Sequence, residues 1–184
     1  MEVSAFDTLP IGARLTRDLR SDHAGEVGAV EIYRGMLAVA RSSELRAFAS
    51  EHLETELRHR EFFDNWLPRR HQSRLLWLWR IAGWVLGAAS ALLGMRAAFR
   101  TVAAVETFVE GHYQEQLQAI GADPALQALR DRLEQFCREE AEHKRDASRR
   151  LPRSDQSESE GRRSVWGAVV AGGSAVGVAI ARRI

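Results

Sequence analysis

This chain of 184 residues has little cysteine, little proline and almost no net charge. Each of these shortages excludes some kinds of protein. The only cysteine, Cys137, cannot form an internal disulfide, which fits a reducing compartment. Basic residues number 26 and acidic residues 25, a formal net charge of +1, so the chain gives no reason to expect a nucleic-acid partner. The first 14 residues lack the pattern of a secretory signal and are too short and acidic for a transit peptide, so we expect neither.

Proline occurs at only four positions, which fall where helices are expected to begin or end. No strand-like alternation of apolar and polar residues lies between them. Apolar spacings of three and four predict helices at about residues 16–40, 42–66, 97–120 and 124–150, with an apolar block at 75–95. We expect an all-α fold and one domain, residues 1–184, in which a polar linker at about 152–161 precedes an apolar helix at about 162–183.

Two segments place a glutamate three residues before a histidine, Glu56 before His59 and Glu140 before His143. Residues at this spacing project from the same face of a helix, so each pair can aim a carboxylate and an imidazole at one ion. A lone glutamate, Glu26 or Glu106, stands about one helical hairpin upstream of each pair. Four carboxylates and two neutral imidazoles carry a charge of −4, which balances two divalent cations.

Spacing alone leaves two of these choices open. Glu139 lies four residues before His143 and could replace Glu140, and Glu110 lies four residues after Glu106 and could replace it. The ligand types exclude a structural zinc site, which would favour thiolates, and favour iron or manganese. We expect iron, the more useful ion for oxygen chemistry.

An internal repeat supports one site with two similar halves. A tyrosine follows each lone glutamate by seven residues, Tyr33 after Glu26 and Tyr113 after Glu106. Two copies of a helical hairpin predict a pseudo-symmetric four-helix bundle of the ferritin-like kind. His112 and Tyr113 follow Glu106 by six and seven residues, too far round the helix for both to bind the metal. We therefore expect them to orient a ligand or to pass protons and electrons to the metal. A satisfied core histidine is the alternative for His112.

The apolar block at 75–95 has about the ~20-residue length of a membrane-spanning helix, but Arg80 and three glycines interrupt it. Tryptophans and neighbouring arginines suit a helix in the interface of an anionic membrane instead. The relevant residues are Trp77, Trp79, Trp84, Arg69, Arg70, Arg74, Arg96 and Arg100. The alternative is a core helix that covers the bundle.

These residues together resemble the demethoxyubiquinone hydroxylase family of coenzyme Q biosynthesis over nearly the whole chain. The resemblance is carried by Asp22-His23-Ala24-Gly25-Glu26, Ile32-Tyr33, Glu56-Leu57-Arg58-His59, Val105-Glu106, His112-Tyr113 with Gln116, and Glu139-Glu140-Ala141-Glu142-His143. It implies a ferritin-like fold with apolar membrane-associated helices and two iron ions (Fe²⁺). Glu26, Glu56, His59, Glu106, Glu140 and His143 match the ligand positions, and His112 and Tyr113 match a pair near the substrate site. Lys144 and Arg100 depart from the family pattern without touching a proposed ligand.

The resemblance further implies a monooxygenase that uses O₂ to hydroxylate the ring of a demethoxylated polyprenyl quinol. We expect a peripheral membrane protein on the cytoplasmic face of a bacterial inner membrane, with a second copy of the chain or a lipid-binding accessory protein as a partner. One alternative is a ferritin-like iron oxidase or peroxidase with the same ligands. Another is a non-catalytic helical protein of the membrane surface.

Overall fold

The computed structural model describes residues 6–152, 172 and 177–183. Within residues 6–152, five α-helices follow one another: α1 (Ala13–Val39), α2 (Ser43–Trp66), α3 (Leu76–Leu92), α4 (Met95–Ile120) and α5 (Gln127–Arg149). Residues 177–181 are also helical. Short 3₁₀ turns occupy Phe6–Thr8, Arg69–His71 and Pro124–Leu126, and the described residues contain no strand. The predicted all-helical fold is therefore confirmed for these residues.

The ends of the helices follow from local sequence. The side chain of Ser42 accepts a hydrogen bond from the backbone N–H of Leu45 and so caps α2, which ends two residues before Pro68. Gly94 and Gly121 adopt positive φ values of 107° and 63°, which only glycine adopts freely, and they bound α4. The sequence predicts a helix from residue 124, but a 3₁₀ turn capped by Asp123 comes first and α5 begins at Gln127.

Packing joins the helices into a bundle in which α1 contacts α2 and α3, and α4 contacts α5. Helix α3 approaches α1 backbone to backbone. A Cβ built on Gly83 would lie 2.3 Å from the carbonyl oxygen of Gly28, and one built on Gly87 would lie 1.9 Å from that of Ile32. Glycine is required at both positions because any side chain would push the helices apart.

Two apolar clusters form the core, and α1, α2, α4 and α5 each contribute residues to both. One cluster includes Met36, Phe48, Val102 and Ala147, and the other includes Leu19, Phe63, Ile120 and Leu133. Between the two clusters, α1, α2, α4 and α5 each carry the acidic and imidazole residues that the sequence singles out. The fold thus encloses a layer of polar side chains between two apolar clusters.

Helix α3, the turn after it and the first residue of α4 expose large apolar side chains. They are Trp77, Leu78, Ile81, Trp84, Val85, Leu92, Leu93 and Met95. Among the described residues, no helix is long and apolar enough to cross a membrane. The expected linker at about 152–161 and helix at about 162–183 lie outside the described residues, except for positions 152, 172 and 177–183.

Candidate metal centre

Four helices bring the six predicted ligands to one buried layer. Glu26 comes from α1, Glu56 and His59 from α2, Glu106 from α4, and Glu140 and His143 from α5. None of the six is more than 4% exposed. Charged side chains are almost never buried to this extent unless they are paired or bind a metal.

The six side chains form two overlapping groups whose candidate ligand atoms lie within 4.8 Å of one another. One group contains Glu26 and His59, and the other contains Glu106 and His143. Glu56 and Glu140 belong to both groups. This arrangement suits two ions that share two bridging carboxylates, with one further glutamate and one histidine for each ion.

The side-chain contacts distinguish Glu106 from Glu110 and Glu140 from Glu139, the alternatives that spacing leaves open. Glu110 turns away from the group and pairs with Lys144. Glu139 is a quarter exposed and contacts the outer ring nitrogen of His59, 2.5 Å from it. Neither belongs to the two groups, whereas Glu106 and Glu140 do.

Several buried polar atoms of the layer have no hydrogen-bond partner. They include both carboxylate oxygens of Glu56, Oε2 of Glu140 and Nδ1 of His143. A buried polar atom without a partner costs about 1–3 kcal/mol, so several in one place require a further explanation. Bound cations would supply the missing partner, and the donor set of carboxylate oxygens and imidazole nitrogens fits iron or manganese.

Two carboxyl groups of the layer, those of Glu56 and Glu106, retain protons to unusually high pH. Burial, reinforced by the neighbouring charge of Glu140, raises the pKa of Glu56 to about 8. Burial, together with the charges of Glu140 and Glu56, raises the pKa of Glu106 well above its usual value. Carboxylates packed together without cations repel one another, so some of them stay protonated.

The pKa values of the two histidines are also raised. Burial lowers the pKa of His143, but the close carboxyl groups of Glu140 and Glu56 outweigh burial and raise the pKa to about 11. The pKa of His59 is also raised, because its contacts with Glu139, Glu140 and Glu26 outweigh burial. Burial raises the pKa of Glu140, but contacts with both histidines outweigh it and leave this pKa far below its usual value. A cation that binds here would therefore have to displace the protons that these raised pKa values favour.

A tyrosine supports the lone glutamate of each half. The Tyr113 hydroxyl donates a hydrogen bond to Oε1 of Glu26 over 2.5 Å, and the Tyr33 hydroxyl donates to Oε1 of Glu106 over 3.1 Å. Each tyrosine thus crosses to the glutamate of the other repeat. The sequence repeat identifies both tyrosines, but sequence analysis assigns a role only to Tyr113.

His112 lies beside the group and not among its ligands. Its Nε2 is 2.9 Å from Oδ1 of Asp22 and 3.2 Å from the hydroxyl of Ser21. Gln116 donates a hydrogen bond to the other oxygen of Asp22, and Nη2 of Arg182 lies 3.5 Å from Nδ1 of His112. Burial lowers the pKa of His112, but Asp22 outweighs burial and raises it.

Two buried histidines were not singled out by the sequence analysis. His23 pairs with Asp64 at 2.8 Å, and His52 pairs with Asp146 at 3.0 Å. The ring of His52 also packs edge-on against His143, with centroids 4.3 Å apart. Both histidines lie one helical turn before a proposed ligand, and this spacing could have placed them near the metal centre. Nothing in the sequence points to their aspartate partners.

A cavity of about 340 Å³ opens beside the group, between α1, α3, α4 and the segment 177–183. The proposed ligands Glu26, Glu56, Glu106 and Glu140 line one part of it, together with His112 and Tyr113. Mainly apolar residues line the rest, including Ile32, Trp79, Leu86, Val105, Phe108 and Val109. A cavity of this size with few polar groups is typical of a small-molecule site.

Known proteins are similar in sequence to this chain. A sequence model of the family described as "Ubiquinone biosynthesis protein COQ7" matches residues 13–181. The chain is 41% identical over 148 residues to the 3-demethoxyubiquinol 3-hydroxylase of Rhodospirillum rubrum, in an alignment that covers 77% of this chain and 69% of the relative.

Eukaryotic relatives are more distant. The mitochondrial NADPH-dependent 3-demethoxyubiquinone 3-hydroxylase of Dictyostelium discoideum is 35% identical over 134 residues, which cover 70% of this chain and 61% of that protein. The mitochondrial 5-demethoxyubiquinone hydroxylase of Saccharomyces cerevisiae is 33% identical over 148 residues, covering 71% and 64%. The chain therefore spans less than two thirds of the length of these two relatives.

Proposed function

Because this chain belongs to the COQ7 family of ubiquinone biosynthesis proteins, we propose that it is an O₂-dependent monooxygenase that hydroxylates the ring of a demethoxylated polyprenyl quinol. The proposal includes a ferritin-like bundle that forms one domain, residues 1–184, with a di-iron centre in its polar layer. One observation carries the function: an apolar cavity that ends on a buried group of carboxylates and imidazoles.

The proposed ligands are divided between two ions. Glu26 and His59 would hold one ion, Glu106 and His143 the other, and Glu56 and Glu140 would bridge them. The buried atoms of Glu56 and Glu140 that have no hydrogen-bond partner support this assignment. When bound, two ferrous ions supply the electrons and open coordination positions that O₂ activation requires.

The cavity would hold the organic substrate. A quinol ring is flat and apolar apart from its oxygens, and Leu86, Phe108 and Val109 would offer it an apolar wall. His112 lines the cavity and is held by Asp22, so it would bind a ring hydroxyl and take up or return its proton. Tyr113 would keep Glu26 oriented towards the ions through its hydrogen bond.

The exposed face of α3 supports peripheral association with a membrane. Trp77 is 60% exposed and Trp84 43% exposed on a helix that borders the cavity. Arg69, Arg70 and Arg74 precede this helix and Arg96 follows it, and all four are exposed. A polyprenyl tail stays in the bilayer because each CH₂ removed from it costs about 0.8 kcal/mol. We propose that α3 lies on the cytoplasmic face of a bacterial inner membrane, so that the ring reaches the cavity while the tail stays in lipid.

Quinone profiling in a bacterial strain that lacks this hydroxylation step tests the proposal. The wild-type chain should clear the accumulated demethoxylated quinone and restore ubiquinone. Glu56→Gln should not, because it removes a bridging carboxylate, whereas the matched variant Glu54→Gln changes an exposed residue of the same helix and should behave like wild type. The proposal fails if the expressed wild-type chain leaves the demethoxylated quinone in place or if E56Q clears it normally.

A further inference from the structure

The two halves of the candidate metal centre differ in what lies behind their histidines. Nδ1 of His59 faces the group, 3.1 Å from Oε1 of Glu140 and 3.6 Å from Oε2 of Glu26. Its Nε2 points outward and lies 2.5 Å from Oε2 of Glu139. Nδ1 is therefore the atom that can bind an ion, and Nε2–H is the donor to Glu139.

Glu139 is itself held in place. Gln135, one turn earlier on α5, donates a hydrogen bond from Nε2 to the second carboxylate oxygen of Glu139 over 3.0 Å. The two oxygens of Glu139 are thus used separately, one by Gln135 and the other by Nε2 of His59. His59 is thus backed by a fixed negative charge.

The other half has no such carboxylate. Nδ1 of His143 faces the group, 3.1 Å from Oε1 of Glu56. Thr55 precedes Glu56 as Glu139 precedes Glu140, and its hydroxyl accepts a hydrogen bond from Arg58. In the part of the chain that the structure describes, no carboxylate pairs with Nε2 of His143, and the His52 ring packs against the imidazole.

We propose that Glu139 is a positioning residue for His59, and that it makes the ion position at Glu26 and His59 bind metal more tightly than the position at Glu106 and His143. A carboxylate that accepts the outer N–H of a metal-bound imidazole fixes the ring and raises its basicity. Loss of such a partner typically lowers metal affinity by about 10–100-fold. This inference rests on the dimetal centre of the proposed function.

Titration of the metal-free, full-length protein with Mn²⁺ alone tests the inference. Equilibrium dialysis should give two binding steps for the wild type, and the first Mn²⁺ should show the electron paramagnetic resonance spectrum of an isolated ion. His143→Ala should retain the tighter step and His59→Ala should lose it, which assigns that step to the position at His59.

Variants of Glu139 then isolate its contribution. Glu139→Ala should weaken the tighter step by about 10–100-fold and leave the weaker step within about twofold. Glu139→Gln keeps an acceptor without the charge and should fall between E139A and the wild type. Glu142→Gln, which removes a largely exposed carboxylate from the same helix, should match the wild type.

The outcomes separate this inference from the proposed function. Two equally tight steps in the wild type, unchanged in E139A, would overturn the inference and leave the dimetal centre standing. Equal weakening of both steps in E139A would also overturn it, because Glu139 would then act on the fold as a whole. Failure of the wild type to bind Mn²⁺ or Fe²⁺ would reject the dimetal centre, and the inference with it.

Discussion

Oε1 of Glu26 accepts a hydrogen bond from the Tyr113 hydroxyl at 2.5 Å, across the interface between α1 and α4. Both side chains are almost fully buried, so water cannot replace either partner. Burial raises the pKa of Tyr113 well above its usual value, and the charge of Glu26 raises it further. The phenol therefore stays protonated and acts as a donor at every physiological pH.

Replacing Tyr113 by phenylalanine should leave the helices in place and lower the hydroxylation rate. The lost hydrogen bond to a buried carboxylate corresponds to about 1.5–3 kcal/mol, which sets the expected loss of rate at about 10–100-fold. Steady-state hydroxylation of a short-tailed demethoxyquinol, together with bound iron per chain, measures it.

Tyr33→Phe provides the comparison, because Tyr33 holds Glu106 in the other half but does not line the cavity. We expect a smaller loss of rate for Y33F than for Y113F. An unchanged rate in Y113F with full iron content would show that the hydrogen bond to Glu26 has no part in the reaction.

Metal affinity should rise with pH. The pKa of Glu56 is raised to about 8, so this carboxyl is mostly protonated at pH 7 in the metal-free protein, and an ion must displace that proton. His143, with a pKa of about 11, must also lose a proton. Each proton released adds about a tenfold gain in apparent affinity per pH unit, up to the pKa of the group that releases it.

Mn²⁺ titrations between pH 6 and pH 8, read against a pH indicator in weak buffer, measure both the affinity and the protons released. We expect proton release on binding and an affinity that climbs throughout this range. An affinity that is flat over it would mean that Glu56 and His143 do not bind the ion.

Sequence reasoning could place the helices because their signals are local. Ser42, Pro68 and Gly121 act through their own backbone neighbours, and the structure ends or caps helices at these residues. The choice between Glu106 and Glu110 is different, because both lie one turn apart on α4. Tertiary contacts, of Glu110 with Lys144 and of Glu106 with Tyr33, show which carboxylate faces inward.

The residues around the proposed ligands were harder to identify. Asp64 is 41 residues from His23 and Asp146 is 94 residues from His52, so neither pair leaves a periodic signal. The contact between Glu139 and His59 likewise joins α5 to α2. A repeat within one sequence shows which residues are equivalent, but it does not show which residues meet.

Association with a membrane should depend on the exposed tryptophans of α3. Changing Trp77 and Trp84 together to alanine should weaken binding to vesicles that contain anionic lipid by at least about tenfold, because burial of each large side chain contributes about 1.5–3 kcal/mol. Co-sedimentation with vesicles measures the change. Bound iron and thermal stability should stay as in the wild type.

Leu57→Ala is the control for that experiment. Leu57 is also apolar and partly exposed, but it lies on α2 and not on α3. If L57A and the double tryptophan variant lose vesicle binding equally, the contact is not specific to α3. If neither loses it, the membrane surface of the protein lies elsewhere.

The close approach of α1 and α3 predicts a large effect from a single methyl group. In Gly87→Ala the new Cβ would lie 1.9 Å from the backbone oxygen of Ile32, so the helices must separate. Overpacking of this kind costs about 1–3 kcal/mol or more, which corresponds to about 2–4 °C in melting temperature for each kcal/mol in a chain of this size. Thermal unfolding followed by circular dichroism measures it.

Gly111→Ala should instead raise the melting temperature, because its Cβ would meet no atom within 4 Å. In a helix, alanine is more stable than glycine by about 0.5–1 kcal/mol. If G87A melts at the same temperature as G111A, the two helices are not in direct backbone contact. Helices α1 and α3 form two of the walls of the cavity, so G87A should also weaken quinol binding. G111A should leave quinol binding unchanged. A loss of stability without any change in the quinol KM would place the substrate outside this cavity.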